Sequence, residues 1–396
     1  MANYSRIVYL VLLITVTVFF ICGCGTAELS EGEPVDKELP GEVEIEAPEA
    51  EIPEISLLAV GDVMLARKLD RLIREKGMDY PFLMTREILS EADIAFANLE
   101  SPLSDQGAKL DGKGIWFRGN PENKEALVQA GFDVISLANN HALDYDAPAL
   151  LQTIELLEAA GIKPVGGGEN IDEARRHVII EREGIRVAFL AYSEMADIVW
   201  SYKHPRMLKA TEEIPGIAPL VVEQIIEDIE KAKEQADYVF LSLHWGVEYK
   251  EMPEDYQIEI AHQLIDAGAD VILGHHPHCL QGVEVYRHGL IAYSLGNFVF
   301  DQNWSDETRE GLLLKINLNP TSLLRAELIP IFVNDGQPVV AAGERGEKIL
   351  SRTKNISERL GTSLELTEGK AVIFSRNQEI EPDLEQKFDQ EGGQVI

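Results

Sequence analysis

Nine histidines are spread over 396 residues, and three of them fall within four positions in Gly274-His275-His276-Pro277-His278. Neutral imidazole is the commonest nitrogen ligand for transition metals. The run follows Val271-Ile272-Leu273, an apolar stretch that reads as a buried strand ending in a glycine turn. Loops after buried parallel strands are where α/β folds place functional side chains. The cluster therefore points to a metal centre; the plain alternative is a polar, solvated loop. Four more apolar runs end in residues able to bind metal. Residues 55–60 lead to Asp62, 92–98 to Glu100, 134–138 to Asn140 and His141, and 238–243 to His244. Asp and Asn are ordinary turn residues, so one such exit says little. Five in chain order, expected on one sheet edge, imply a shared site. Oxygen and imidazole donors together suit Mn, Fe, Zn or Mg, and a bridging carboxylate lets two ions sit side by side.

The elements that must position these residues alternate. Helical apolar spacing near 3.6 marks 65–76, 123–130, 147–160, 220–236 and 256–267, with Gly131, Gly161 and Gly268 where helices commonly stop. A strand at 185–192 has an expected partner at 177–181 across a Glu183-Gly184 turn, and a hairpin joins 283–286 to 290–294 at His288-Gly289. Further strands are expected at 312–318 and 326–332. Strands alternating with helices predict α/β layers, and the late hairpins predict a mixed sheet.

Charge narrows the partners. Asp+Glu 68 against Lys+Arg 35 gives a net charge of -33, which argues against nucleic acid and against docking on anionic membrane. An anionic substrate stays open, because a metal supplies positive charge locally. Basic residues are scarce, so Lys109, Lys113 and Arg118, around Trp116-Phe117-Arg118-Gly119, are candidate contacts for substrate carboxylates. Glu248 and Tyr249 either face the cleft or face solvent. Gly166-Gly167-Gly168 reads as a flexible turn rather than an anion cradle. Cys22 and Cys24 lie near the amino terminus, leaving Cys279 alone in the body as a small buried residue or, alternatively, a thiolate ligand.

Arg6 precedes an apolar run over residues 7–21, which is short for a spanning helix and right for a signal-peptide core. Ile21-Cys22-Gly23-Cys24 is similar to a bacterial lipobox with Cys24 lipidated; an uncleaved anchor or free secretion are the alternatives. Each version places the body outside the cytoplasm. Residues 26–54 carry eleven Asp/Glu and one lysine and read as an extended tether. The expected organisation is a leader or anchor at 1–24, a tether at 25–54, a main domain at 55–335, and an extension with a polar tail at 336–396.

The order of these blocks resembles the calcineurin-like metallophosphoesterase superfamily and, within it, the CapA-type family of poly-gamma-glutamate capsule synthesis. The resemblance rests on Gly61-Asp62-Val63-Met64, Asn98-Leu99-Glu100-Ser101-Pro102, Ala138-Asn139-Asn140-His141, His244-Trp245-Gly246, the 274–278 run, and Tyr293-Ser294-Leu295-Gly296-Asn297-Phe298. It implies a four-layer metallophosphoesterase-like sandwich, with two mixed sheets face to face and helices on both outer sides. It implies one or two divalent ions. Asp62 and His278 would bind the first metal, Glu100 would bridge, Asn140, His244 and His276 would bind the second, and His141 would help protonate a leaving group. His275 falls outside the pattern and is expected at the rim. Asn297 and Asp301 match a loop that orients a ligand, with a structural turn as the alternative. The phosphoesterases carry histidine two residues after the first aspartate, where this chain has Met64, a poor ligand for Mn or Mg. The function implied is a cell-surface, metal-binding protein handling an anionic glutamate polymer together with membrane-bound capsule synthesis proteins. Metal-assisted hydrolysis of a phosphoester or amide, metal-assisted epimerisation, and a non-catalytic accessory role are all compatible with it.

Overall fold

Strand β1 (Ile55–Val63) is apolar on both faces: Leu57 and Ala59 enter one buried cluster, Leu58 and Val60 another. Such a strand needs cover on both sides. The structure, a computed structural model, describes residues 52–201 and 206–373. The leader, the tether up to residue 51 and the polar tail lie outside the described residues.

β1 is followed by α1 (Arg67–Lys76), α2 (Arg86–Ser90), β2 (Ile94–Leu99), α3 (Lys124–Ala130), β3 (Val134–Ser136), α4 (Asp146–Ala159) and β4 (Lys163–Val165). These four strands run parallel in sequence order. β5 (Gly167–Gly168) pairs with β8 (Gly216–Ile217), so the glycine run is a short ladder and not the expected turn. α5 (Ile171–Arg175) and the hairpin of β6 (Val178–Arg182) and β7 (Ile185–Ser193) come between them. Next come α6 (Val222–Lys233), β9 (Tyr238–His244), α7 (Asp255–Asp266), β10 (Val271–His275), β11 (Val283–Tyr286) and β12 (Gly289–Ala292). The β11–β12 turn falls at Arg287-His288, one residue before the expected place, with Arg287 left-handed at φ 52°. The chain closes through β13 (Asn297–Val299), β14 (Glu310–Leu318), β15 (Leu323–Asn334), β16 (Gln337–Val340), α8 (Gly343–Arg359), β17 (Glu365–Thr367) and β18 (Lys370–Val372).

Two mixed sheets result. The larger runs β17-β18-β15-β14-β1-β2-β3-β4, with β13 beside β1 and β16 beside β15; the smaller runs β11-β12-β10-β9-β7-β6. Leu57, Phe96 and Leu314 from one sheet share a buried cluster with Phe189, Phe240 and Leu273 from the other. The Phe96 and Phe189 rings stack across it at 5.7 Å. Helices α1, α3 and α4 cover the outer face of the larger sheet through Leu69, Leu127 and Leu150, and α6 and α7 cover the smaller through Ile229 and Leu264. The protein is thus an α/β four-layer sandwich, as expected. The five chemical strand exits, however, divide between two sheets rather than sharing one edge: β1 to β3 belong to the larger, β9 and β10 to the smaller.

Residues 337–373 add strands to the larger sheet, and α8 places Ile349 and Leu350 in the core between the sheets. Ser357 Oγ and Thr362 Oγ1 accept hydrogen bonds from the β11 backbone at Val283 and Val285, at 2.9 and 2.8 Å. An edge strand is thereby covered and its outward donors satisfied.

At the site end, the Tyr293–Gly296 backbone passes between the two sheets. A Cβ on Gly61 of β1 would lie 2.0 Å from the Gly296 carbonyl oxygen, and one on Gly274 of β10 would lie 1.9 Å from that of Tyr293. Gly274→Ala is expected to force the sheets apart and cost about 2 kcal/mol or more. The check is a urea denaturation midpoint, and a shift within error of wild type would show that the backbone yields freely there.

Candidate metal centre

The register of each sheet brings its functional residues level. In the larger sheet Asp62 stands beside Asn98 and Asn297; in the smaller, Ser193, His244 and His275 align across three strands. The two rows meet at the sandwich end.

Asp62 is fully buried and heavily contacted. Its Oδ1 accepts from Asn98 Nδ2 at 2.9 Å and lies 3.1 Å from His275 Nδ1; its Oδ2 accepts from the His276 backbone N–H at 3.3 Å and lies 3.4 Å from His278 Nδ1. Burial raises this carboxyl, but hydrogen bonding to His275 and His278 outweighs it and holds Asp62 well below the usual carboxylate range. Glu100 differs. It is equally buried, yet among the described residues neither carboxyl oxygen has a hydrogen-bond partner. His278 Nε2 at 3.5 Å and His141 Nε2 at 3.9 Å are its nearest charged-group neighbours. Burial pushes Glu100 well above its ordinary range, with His278 opposing and Asp62 adding to the rise.

Asn139 shapes the β3 exit: its Nδ2 donates to Asn98 Oδ1 at 3.1 Å and to Leu99 O at 2.8 Å, while its Oδ1 accepts from the His141 N–H at 3.0 Å. Asn140 Oδ1 thereby reaches His244 Nε2 at 3.1 Å across the two sheets. His141 Nδ1 lies 2.7 Å from Asp144 Oδ2, and its ring stacks on Phe117 at 3.8 Å. Burial drives His141 down to about 4, despite the Asp144 charge, so its imidazole is neutral near pH 7. His276 falls to about 3 through burial and the His278 charge. Burial lowers His278 too, but Glu100 and Asp62 carry it up to about 9.

Asn297 fixes one tautomer. Its Nδ2 donates to Gln302 Oε1 and Thr308 O, at 3.0 and 2.8 Å, so its Oδ1 must accept from His278 Nδ1 at 3.0 Å. In the neutral ring that metal binding requires, the lone pair of His278 is then left on Nε2, which faces Glu100. Asn297 is therefore an orienting residue, whereas Asp301 pairs with Arg67 in a structural contact.

Several expectations change. His275 does not line the rim; it is buried against Asp62 and Phe96. Lys113 is buried and committed to Asp144 and the Asn140 carbonyl, so it does not offer a surface contact to substrate. Lys109 and Arg118 stay at the surface, over the rings of Trp116 and Tyr145 at 4.9 and 3.9 Å. Met64 turns away from the site into the outer core, its Sδ accepting from the Ala66 N–H at 3.1 Å. Cys279 is buried and its thiol pushed up to about 12 by burial, which fits a packing residue and not a thiolate ligand. The roles of Asn98, Asn139 and Asp144 escaped sequence reasoning, and Lys113 was assigned a different one; the one available signal was Asp144, three residues after His141 in the same short segment.

The donors present fit a divalent ion. Besides Glu100 Oε1 and Oε2, the buried atoms His244 Nδ1, His275 Nε2 and His276 Nδ1 lack partners among the described residues. A buried polar atom without a partner is costly, and a cation is the partner that carboxylate and imidazole lone pairs can share. Imidazole, carboxylate and amide donors suit Zn, Mn or Fe better than Ca.

A four-layer sandwich with a carboxylate–imidazole pocket where its two sheets meet is the class that fold and site define. Residues 56–302 match the family described as bacterial capsule synthesis protein PGA_cap, and the chain belongs to that family. It is 34% identical over 315 residues to the capsule biosynthesis protein CapA of Bacillus anthracis, covering 77% of this chain and 74% of that one. It is 34% identical over 286 residues to the PGA biosynthesis protein CapA of Bacillus subtilis, covering 72% and 73%. It is 29% identical over 322 residues to a probable polyglutamine synthesis accessory protein of Mycobacterium tuberculosis, covering 76% and 83%.

Two outcomes are expected from the His141 pocket. Asp144→Ala leaves Lys113 buried without its carboxylate and should cost about 3–5 kcal/mol, read by chemical denaturation. In the unfolded chain an imidazole takes up its proton near pH 6.5, in the fold His141 only near 4. The unfolded state thus binds more protons between those values, and metal-free protein should lose stability as pH falls through that window. Histidine NMR titration checks it; a His141 midpoint at or above 6 would show an open, solvated ring.

Proposed function

We propose that this chain is a metal-dependent component of the bacterial machinery that makes or exports a poly-gamma-glutamate capsule, held outside the cytoplasm by its amino-terminal segment. Family membership and the names of the relatives support the capsule assignment. The unpartnered buried donors on Glu100, His244 and His276 support the metal assignment, as do the ligand atoms of Asp62, Glu100 and His244, which lie within 4.8 Å of one another. The placement draws on the apolar run over residues 7–21 and on Cys24, which lie outside the described residues. Among the described residues, no helix is long and apolar enough to cross a membrane.

Asp62, Glu100, Asn140, His244, His276 and His278 would hold the cation. A divalent ion bound there supplies a positive charge that polarises a carbonyl or phosphoryl oxygen. The chain's own residues do the rest. Asp144 holds His141 by Nδ1, which leaves Nε2 turned toward Glu100 and slightly open to solvent. Neutral at pH 7, that nitrogen starts as a proton acceptor and can return the proton to a departing or reacting atom. Phe117 and Phe300 wall the pocket beside His141 and His278, limiting the access of water. Met64 contributes no donor, which weighs against ordinary phosphoester turnover; the glutamyl polymer is drawn from the family and the names of the relatives.

The test is metal analysis of the full-length chain, combined with complementation of a strain lacking it. Wild type should retain about one or two divalent ions per chain, and Glu100→Gln and His244→Ala should each lose most of the metal and lower surface polymer. Absence of bound metal in wild type, or normal polymer with a metal-free variant, would overturn the proposal.

A further inference from the structure

Arg67 opens α1, three residues after Met64. Three features fix it beside the pocket. Its backbone holds the left-handed region at φ 52°, which non-glycine residues keep only where surrounding contacts over-determine it. Its guanidinium carbon lies 4.3 Å from the centre of the Phe117 ring, and that ring stacks on His141 at 3.8 Å. Its Nη2 donates to Oδ1 of Asp301, the residue after Phe300, whose ring packs against His278 at 4.9 Å. We infer that Arg67 is a carboxylate subsite at the mouth of the pocket, binding an α-carboxylate of a γ-glutamyl chain while the adjoining amide reaches His141. The inference rests on the glutamyl-polymer reading above and adds the residue that recognises the polymer.

The fork has capacity to spare. A guanidinium carries five N–H donors in one plane. Among the described residues only Nη2 has an acceptor, and the side chain is 37% exposed. The remaining edge can take both oxygens of a carboxylate, which a lysine cannot do. The Phe117 ring and the Asp301 carboxylate hold the fork before a ligand arrives, which lowers the ordering cost of binding. Charge adds to the case. A chain of net charge -33 repels a polyanion, so contact with one needs a cation where they meet. Two other cations of the surrounding loops are committed elsewhere, Lys113 to Asp144 and Lys250 to Glu254.

The reach also fits. The guanidinium carbon lies no farther than about 8 Å from the centre of the His141 ring, the sum of the two distances through Phe117. In a γ-linked chain, three bonds separate an amide carbonyl carbon from the carboxylate carbon of the unit on its nitrogen side, a span of about 3–4 Å. The hydrogen-bonded pair adds about 3 Å. A carboxylate held on Arg67 therefore leaves the neighbouring amide within reach of His141 Nε2, the nitrogen that Asp144 turns toward Glu100.

The probe is a γ-linked glutamate pentamer, compared with the same pentamer carrying α-carboxamides, each titrated into the full-length protein by isothermal calorimetry. Wild type should prefer the acid by at least about tenfold. Arg67→Gln and Arg67→Gly, the second of which accepts φ 52° without strain, should each weaken the acid by at least about tenfold, leave the amide unchanged and keep the metal content. Arg67→Lys should recover only part of the preference. An ion pair that merely fastened α1 to the loop after β13 would leave the preference unmoved. An unchanged preference in either Arg67→Gln or Arg67→Gly would overturn the subsite and leave the capsule reading intact. Wild-type protein that binds neither pentamer would overturn both the subsite and the polymer reading. Loss of bound metal in Arg67→Gly would make Arg67 a support of the metal centre instead. Phenyl phosphate bound as tightly as the acid pentamer, and weakened as much by Arg67→Gln, would make the ligand a phosphate and overturn the proposal.

Discussion

The site depends on one backbone contact. The Tyr293–Gly296 segment lies between the ends of the two sheets, so close to Gly61 and Gly274 that neither has room for a Cβ. Asp62 N–H donates to the Gly296 carbonyl at 3.0 Å, and Leu295 N–H donates to the Gly274 carbonyl at 3.1 Å. One short segment thus fastens β1 to β10. The residues that follow those glycines are Asp62 on one sheet and His275 to His278 on the other. Sheets packed only through apolar side chains could slide by fractions of an ångström; sheets tied by backbone hydrogen bonds cannot, and donor positions in a metal site tolerate little sliding.

That rigidity sustains an unfavourable arrangement. Two buried carboxylates and several imidazoles share a water-poor pocket, and the surrounding protein solves their charges unequally. Asp62 is stabilised by Asn98, His275 and a backbone N–H, while Glu100 receives no hydrogen bond. The asymmetry assigns them different work. Asp62 organises the histidine loop through hydrogen bonds; Glu100 has the His278 ring, 3.5 Å away, as its nearest opposing charge. Two large cores, one between the sheets and one beneath α1, α3 and α4, offset that cost.

A layer of polar residues behind the candidate ligands decides how they point. Asn139 bends the β3 exit, Asp144 sets the His141 ring, Asn297 sets the His278 ring, and Lys113 neutralises Asp144 while holding the Asn140 carbonyl. Of these, Asn139 was visible only as part of a longer sequence block, whereas Asn297 stood out as a candidate ligand-orienting residue. Lys113 was misread because a lysine in a polar loop ordinarily reaches solvent; burial reversed its role. Met64 shows the opposite case, where the residue type alone was informative and the structure supplied the reason, by directing the thioether into the core.

Much of the architecture was legible because strand and helix periods are local properties: buried strands announce themselves as short apolar runs, and their exits as the polar residues that follow. The sequence by itself therefore determined the α/β alternation, the donor residues at five strand ends, and the type of ion they suit. What it could not determine was which sheet each strand joined, since pairing depends on contacts between residues far apart in the chain. Tertiary structure alone decided that the donors come from two sheets meeting end to end. It decided that His275 is buried against Asp62 rather than placed at the rim, and that Glu248 lies within reach of His276 and His278. The reason is geometric. Spacing along a chain fixes which face of a strand a residue occupies, but only the packing of one sheet on another brings atoms of Asp62 and His275, 213 residues apart, to 3.1 Å.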